Sequence, residues 1–165
     1  MIAIEIRDLA PGDAETCDEI VLSLPYHFGQ EGGRRDCAAA VRSEPGLVAM
    51  VEGEVVGFLT YVRRFEVSAE ITWLAVRIDR RRTGIGGALV NTISRRLGAE
   101  GRRLLVVLTV SPSEPGPEPE DGYQSTRAFY RKAGFELARD LAGLWDGGDT
   151  PVIMVKRLGD ASAAG

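Results

Sequence analysis

The chain has 165 residues, 44% of them hydrophobic, and a formal net charge of -4. That is apolar material for one substantial core and no more chain than one domain needs. The negative balance argues against general nucleic-acid binding, and with only Lys132 and Lys156 as lysines the arginine excess reads as coding bias.

The first stretch, 2 to 8, alternates as a strand with Ile2, Ile4 and Ile6 on one face. It lacks a basic n-region with a long apolar core, and no run reaches about 18 apolar residues, so a soluble, unexported, cytoplasmic protein without a membrane partner is expected. Asp8 to Asp13 carry turn chemistry before a helix from about Ala14 to Leu24, with Cys17, Ile20, Val21 and Leu24 as its buried stripe. Cys17 and Cys37 stand far apart with no C-x-x-C pair or neighbouring histidine, which suggests neither a disulfide framework nor a metal site and fits a reducing compartment. Pro25 ends the helix. Tyr26-His27-Phe28-Gly29 then form an aromatic loop that could wall a substrate pocket. His27 reads as a loop histidine without catalytic duty, since no triad partner stands near it. A second helix runs from about Arg34 to Arg42.

Strands Gly46 to Glu52 and Glu54 to Arg63 follow, joined by the tight turn Glu52-Gly53-Glu54. The next strand, Ser68 to Val76, puts Glu70, Thr72, Leu74 and Val76 on one face and Ile71, Trp73 and Ala75 on the other. After Asp79 comes Arg80-Arg81-Arg82-Thr83-Gly84-Ile85-Gly86-Gly87, and then Ile85, Leu89, Ile93 and Leu97 four apart, the stripe of a helix. Arg103 to Val110 is an apolar strand of the kind covered on both faces. The Pro-rich acidic stretch 111–122 reads as a solvated loop, with an acidic lip for cationic acceptors as the other reading. Ser125 to Lys132 is a short helix with Ser125 or Thr126 as cap, Gly134 its stop and Phe135 the start of a strand. A turn around Trp145 leads to a last strand, Pro151 to Lys156, and the tail from Gly159 reads as frayed.

The strand, basic glycine turn and helix between Glu70 and Leu97 carry the chemistry. Glycines let a backbone approach an anion, and the amides and dipole of a helix start point at it, with three arginines beside it. A nucleoside-triphosphate loop needs a Lys that does not follow Gly86 or Gly87, and a dinucleotide fingerprint from Gly84 would need glycine where Leu89 stands. What remains, Arg81-x-x-Gly84-x-Gly86, resembles the coenzyme A pyrophosphate loop of the GNAT superfamily of N-acetyltransferases. Ala128-Phe129-Tyr130-Arg131-Lys132-Ala133-Gly134-Phe135 resembles that family's second signature, aromatic-Tyr-x-x-x-Gly-Phe. The resemblance covers residues 2–157, and the stretch from Tyr123 to Lys156 is similar to a bacterial branch of the family.

The resemblance implies a fold and a site. The fold is mixed α/β (α+β): a mostly antiparallel sheet of six or seven strands with a splayed central parallel pair, and about four helices. It forms a single acetyltransferase domain over 1–158 with a flexible tail, 159–165. The backbone of Leu74, Ala75 and Val76 would pair with the pantetheine arm of acetyl-CoA. Arg81, Arg82, Thr83, Gly84, Ile85, Gly86 and Gly87 would hold its pyrophosphate. Tyr130 would protonate the departing sulfur, its alternative being core packing, and Glu70 is the candidate general base, its alternative being a solvated strand-edge acid. Many relatives carry asparagine where Tyr123 stands, so Ser125 is the possible substitute for that donor contact. The expected reaction is direct transfer to a primary amine of a small molecule or peptide, without a metal or a covalent cysteine intermediate. A non-catalytic acyl-CoA sensor and a generic nucleotide-phosphate binder are the competing readings. Tyr26 to Phe28, Phe65 and Trp145 are the candidates for shaping the acceptor site, and a homodimer fits the family habit.

Overall fold

The computed structural model describes residues 2–24, 31–112, 122–146 and 149–159. Among these the chain runs β1 (Glu5–Asp8), α1 (Ala14–Leu22), α2 (Glu31–Ser43), β2 (Gly46–Val51), β3 (Glu54–Arg63), β4 (Ser68–Val76), α3 (Ile85–Ala99), β5 (Leu104–Val110), α4 (Gly122–Lys132), β6 (Glu136–Asp140) and β7 (Pro151–Arg157). Short 3₁₀ turns at Pro11–Asp13 and Ile78–Arg80 precede α1 and α3. This is the expected mixed fold, seven strands and four helices among the described residues, antiparallel apart from the parallel pair β4 and β5. The chain forms two compact units, Met1–Arg63 with Ile71–Arg96, and Arg64–Glu70 with Leu97–Gly165, so β4 begins in the second and ends in the first.

In the first unit the strand order is β1-β2-β3-β4. Glu52 and Gly53 both take positive φ, 53° and 82°, the conformation of a two-residue hairpin turn whose twist suits the strands it joins. That turn also ends β1's pairing. Glu5 lies opposite Met50 near the end of β2, so Ile2 and Ile4 extend past the pairing, β1 starts at Glu5 and Ile2 is exposed. The alternation expected from residue 2 had no partner strand to bury it. The face of α1 made by Cys17, Ile20 and Val21, with Leu24 just beyond it, packs on Cys37 and Val41 of α2 and on Val48, Phe58 and Ala75 of the sheet. Each large apolar side chain buried there contributes about 1.5–3 kcal/mol. Helix α2 starts three residues before Arg34, with Gly32 and Gly33 in its first turn. An exposed helical glycine costs about 1 kcal/mol, which the buried face of α2 absorbs. The aromatic loop 26–28 lies outside the described residues.

The two free cysteines sit in this core, and burial pushes both thiols up from 9.0 to about 12. A raised thiol keeps its proton in the folded state while the unfolded thiol ionises. The stabilising difference is therefore intact below pH 9 and is lost as pH climbs from there toward about 12. Chemical unfolding at pH 8 and pH 10 should show stability falling by about 1.4 kcal/mol per thiol for each pH unit above 9. The Cys17→Ala/Cys37→Ala double variant should show a correspondingly flatter profile.

In the second unit Ser68–Glu70 of β4 are followed in sheet order by β5, β7 and β6. All seven residues of β5 pair with β7, from Leu104 opposite Arg157 to Val110 opposite Pro151. Helix α4 begins at Gly122, so Ser125 and Thr126 lie within it. Neither caps its start, because an N-cap residue holds a non-helical backbone. The tail 160–165 and most of the acidic Pro-rich loop lie outside the described residues.

Candidate functional site

The turn between β4 and α3 is built by a bulge in β3. Ala49 pairs with Gly57 but Met50 pairs with Val55, leaving Val56 unopposed. The Val56 carbonyl accepts the Arg77 N–H at 2.8 Å, which tethers the start of the turn to the sheet. Gly57 lies under the other end. A Cβ there would stand 3.1 Å from Ile85 Cγ2 and 3.2 Å from the Ala75 carbonyl, so its absence lets the first residue of α3 seat against β3 and β4. Ile85, Leu89, Ile93 and Leu97 are all at most 2% exposed, as their spacing predicts.

Between these anchors the backbone bends twice into the left-handed region, at Arg82 (φ 64°) and Gly84 (φ 88°). For arginine this costs about 1 kcal/mol or more. Arg80 N–H donates to Arg77 O at 2.9 Å and Thr83 Oγ1 donates to Arg80 O at 2.6 Å, holding the reversal. Ala88 N–H donates to Gly84 O at 3.0 Å, the first bond of α3, which makes Gly84 the N-cap. Glycine has no side chain to cap with. Among the described residues no side chain reaches the amides of Ile85, Gly86 and Gly87, and a Cβ at Gly87 would meet nothing within 4 Å. A 15-residue helix thus presents unpaired donors and the positive end of its dipole through an open face.

The arginine cluster divides. Arg77 is held by Asp79, at 2.6 and 3.1 Å, and by Glu54 at 3.3 Å, while Arg80 leans toward Glu52 (3.8 Å) and Asp79 (3.9 Å). Arg81 and Arg82 are exposed and make no ion pair among the described residues. Of the three arginines beside the turn, Arg80 is drawn toward acids because the β2–β3 turn brings Glu52 to it.

At the far end of α4, Gly134 (φ 99°) closes the helix. Its N–H donates to Arg131 O at 3.0 Å, and the Phe135 N–H donates to Tyr130 O at 2.9 Å. These two bonds define a Schellman stop, and the apolar contact that accompanies such stops is the Tyr130 ring edge-on to Phe135, with centroids 5.3 Å apart. The spacing Tyr-x-x-x-Gly-Phe therefore has a local physical reason: tyrosine and phenylalanine are the residues a left-handed glycine brings together. Tyr130 is 6% exposed, and burial pushes its phenol up, so the hydroxyl keeps its proton at neutral pH.

Glu70, four residues before Leu74 on β4, is partly buried. Its Oε2 accepts Arg64 Nε at 2.6 Å. Ser125 is on the exposed side of α4, and Tyr123 is in its first turn, half-buried. Of the residues considered for the acceptor site, Phe65 is 80% exposed at the β3–β4 turn and Trp145 is 37% exposed, while Tyr26 to Phe28 lie outside the described residues. A cavity of about 470 Å³ over the β6–β7 connection is lined by Arg139–Leu144 and includes none of these. Two polar features lie outside every motif of the sequence. Thr60 donates to Thr72 (2.7 Å), whose own proton goes to Glu44, and Arg127, three residues before Tyr130, is buried. Helical spacing from Tyr130 was the available signal for Arg127.

Residues 42–137, more than half of the chain, match the family model described as an acetyltransferase (GNAT) domain. The chain belongs to the GNAT acetyltransferase family. Solved GNAT structures carry the same fold. A GNAT-family protein of Desulfovibrio desulfuricans superposes with a TM-score of 0.79 at 22% identity, covering 95% of this chain and 100% of that one. Aminoglycoside 6'-N-acetyltransferase, complexed with coenzyme A, gives 0.70 at 17% identity over 94% and 97% of the two chains. The ribosomal-protein-S18-alanine N-acetyltransferase of Escherichia coli gives 0.71 at 17% identity over 96% of each. No curated protein matches the chain. As a GNAT domain it is an acyl-transfer fold, and no helix among its described residues is long and apolar enough to cross a membrane.

Proposed function

We propose that the chain moves an acetyl group from acetyl-CoA to a primary amine by direct attack. The observation that carries this reading is the uncapped start of α3, where the free amides of Ile85 to Gly87 and the unpaired Arg81 and Arg82 suit a diphosphate. Leu74, Ala75 and Val76 lead directly into that turn, and their main chain is assigned to the pantetheine arm. A main-chain donor at that strand end would also polarise the thioester carbonyl as negative charge grows on its oxygen.

Three proton movements complete the chemistry, the third being loss of a proton from the newly bonded nitrogen as the C–S bond breaks, which replaces the proton given up to sulfur. The acceptor must lose an ammonium proton before its nitrogen can form the new C–N bond, and Glu70, with Oε1 free of the Arg64 contact, is the proposed acceptor of that proton. When the C–S bond breaks, the electron pair leaves with sulfur, and the protonated Tyr130 hydroxyl is the proposed donor to it. Ser125 remains the proposed substitute for the missing asparagine contact. Two structural neighbours are named for amine acceptors, an aminoglycoside and a ribosomal-protein alanine, which supports an amine here. The exposed Phe65 and Trp145 favour an amine with an apolar or amphipathic portion.

Thermal unfolding with acetyl-CoA, ATP and NAD tests the binding half. Acetyl-CoA at a hundredfold excess over its Kd should raise Tm by about 5–10 °C, with ATP and NAD doing markedly less. Equal protection by ATP would leave a generic nucleotide-phosphate binder. Thioester consumption over a panel of amines tests the chemical half, and tight binding without turnover on any of them would favour a sensor.

A further inference from the structure

Arg127 is 6% exposed, and removing a guanidinium from water costs several kcal/mol unless its donors are satisfied. Its NH1 donates to the Val110 carbonyl at 2.8 Å. That carbonyl belongs to the last residue of β5 and faces away from β7. Ser111 N–H donates to Thr150 O at 2.9 Å, and in an antiparallel ladder the next residue, Val110 opposite Pro151, points its polar groups the other way. The Arg127 contact therefore serves a strand carbonyl that β7 cannot reach. Ser111, fully buried, fastens the same strand end by donating Oγ to Asp140 Oδ1 at 2.6 Å.

Tyr130 lies three residues further along α4, on the same buried face as Arg127. Its ring is held on one side by Phe135 through the helix stop. One turn earlier on that face, the Arg127 bond ties α4 to the end of β5. We propose that Arg127 is a positioning residue for acyl transfer, clamping α4 to the end of β5 and so setting where the Tyr130 hydroxyl stands. This rests on the reading of Tyr130 as the acid. A buried arginine is suited to the task because its planar fork fixes direction as well as distance, which the single ammonium of lysine does not.

The test is a double-mutant cycle on the full chain with acetyl-CoA and the best acceptor of the amine panel. Arg127→Met should lower kcat about tenfold or more while KM for acetyl-CoA stays within about twofold, and Arg127→Lys should recover part of the loss. In a Tyr130→Phe background the same Arg127 substitutions should cost almost nothing further. Losses of equal size in both backgrounds, or a change confined to KM, would overturn the proposal. An arm independent of turnover uses protein labelled with 3-fluorotyrosine. The ¹⁹F resonance missing from Tyr130→Phe should move in Arg127→Lys while that of Tyr61, on β3, stays put; an unmoved Tyr130 signal would also overturn the proposal. Should Tyr130→Phe keep full activity, the acid role fails by itself, and the ¹⁹F arm still decides whether Arg127 sets the ring. Failure of both Arg127 variants to fold would reduce Arg127 to a structural residue and overturn the positioning role.

Discussion

Tyr130→Phe should lower kcat by about 100-fold or more and leave the fold intact. The substitution removes one oxygen and keeps the ring that packs edge-on against Phe135, so the Schellman stop of α4 survives. General acid catalysis by a positioned side chain contributes about 10²- to 10⁴-fold, and the phenol, pushed up by burial, carries its proton throughout the neutral range. KM for acetyl-CoA should change little, because the diphosphate is assigned to a different element. The pH profile adds a second readout. A raised phenol remains neutral in the folded state after the unfolded one begins to ionise near pH 10, so the stability that this burial contributes is intact below that pH and is lost as pH rises above it. Urea unfolding above pH 10 should accordingly show a gentler decline in the Phe variant than in the parent. A variant with unchanged kcat would remove Tyr130 from the mechanism and leave it as packing.

Gly87→Val should separate folding from donor binding. The position is inside α3, its backbone is not left-handed, and a Cβ built on it meets no neighbour within 4 Å, so the fold has room for the side chain. Replacing a helical glycine removes a penalty of about 0.8–1 kcal/mol against alanine, part of which β-branching takes back, and Tm should stay within a few degrees of the parent. The isopropyl group would nonetheless stand over the amides of the first turn. Loss of one or two charge-assisted hydrogen bonds at about 1.5–3 kcal/mol each predicts that KM or Kd for acetyl-CoA rises about 10- to 100-fold or more. Gly84→Ala is the useful contrast. There the backbone is left-handed at 88°, so the cost should fall on stability, about 1 kcal/mol. Unchanged donor affinity in Gly87→Val would refute the assignment of the diphosphate to the start of α3.

What could be read from the chain was whatever nearest neighbours dictate. Glu52-Gly53-Glu54 announced a tight turn, and Glu52 and Gly53 take the positive φ that a two-residue hairpin turn needs. The stripe Ile85, Leu89, Ile93, Leu97 gave the buried face of α3, and Ser68–Val76 came out with the predicted ends because a strand covered in the core shows its limits in composition. The Tyr-x-x-x-Gly-Phe signature was legible for the same reason, since the bonds that close α4 span three and five residues. Boundaries that depend on a distant partner were missed. The start of β1 is set by where β2 turns, and the start of α2 by a buried face that outweighs two glycines.

The same division runs through the site. Sequence by itself determined a basic glycine turn between a strand and a helix, and a tyrosine at a helix stop, because hydrogen bonds between residues a few positions apart are written in local order. Tertiary structure decided which charges are available. It gave Arg80 to Glu52 and Asp79, Arg77 to Glu54 and Asp79, and left Arg81 and Arg82 open. It also placed Arg64 against Glu70 and buried Arg127 on the Val110 carbonyl, seventeen residues back along the chain. An arginine looks the same in sequence whether it faces water, an acid or a strand end. Its chemistry is fixed only when the fold chooses its partner, and those partners come from other strands and turns.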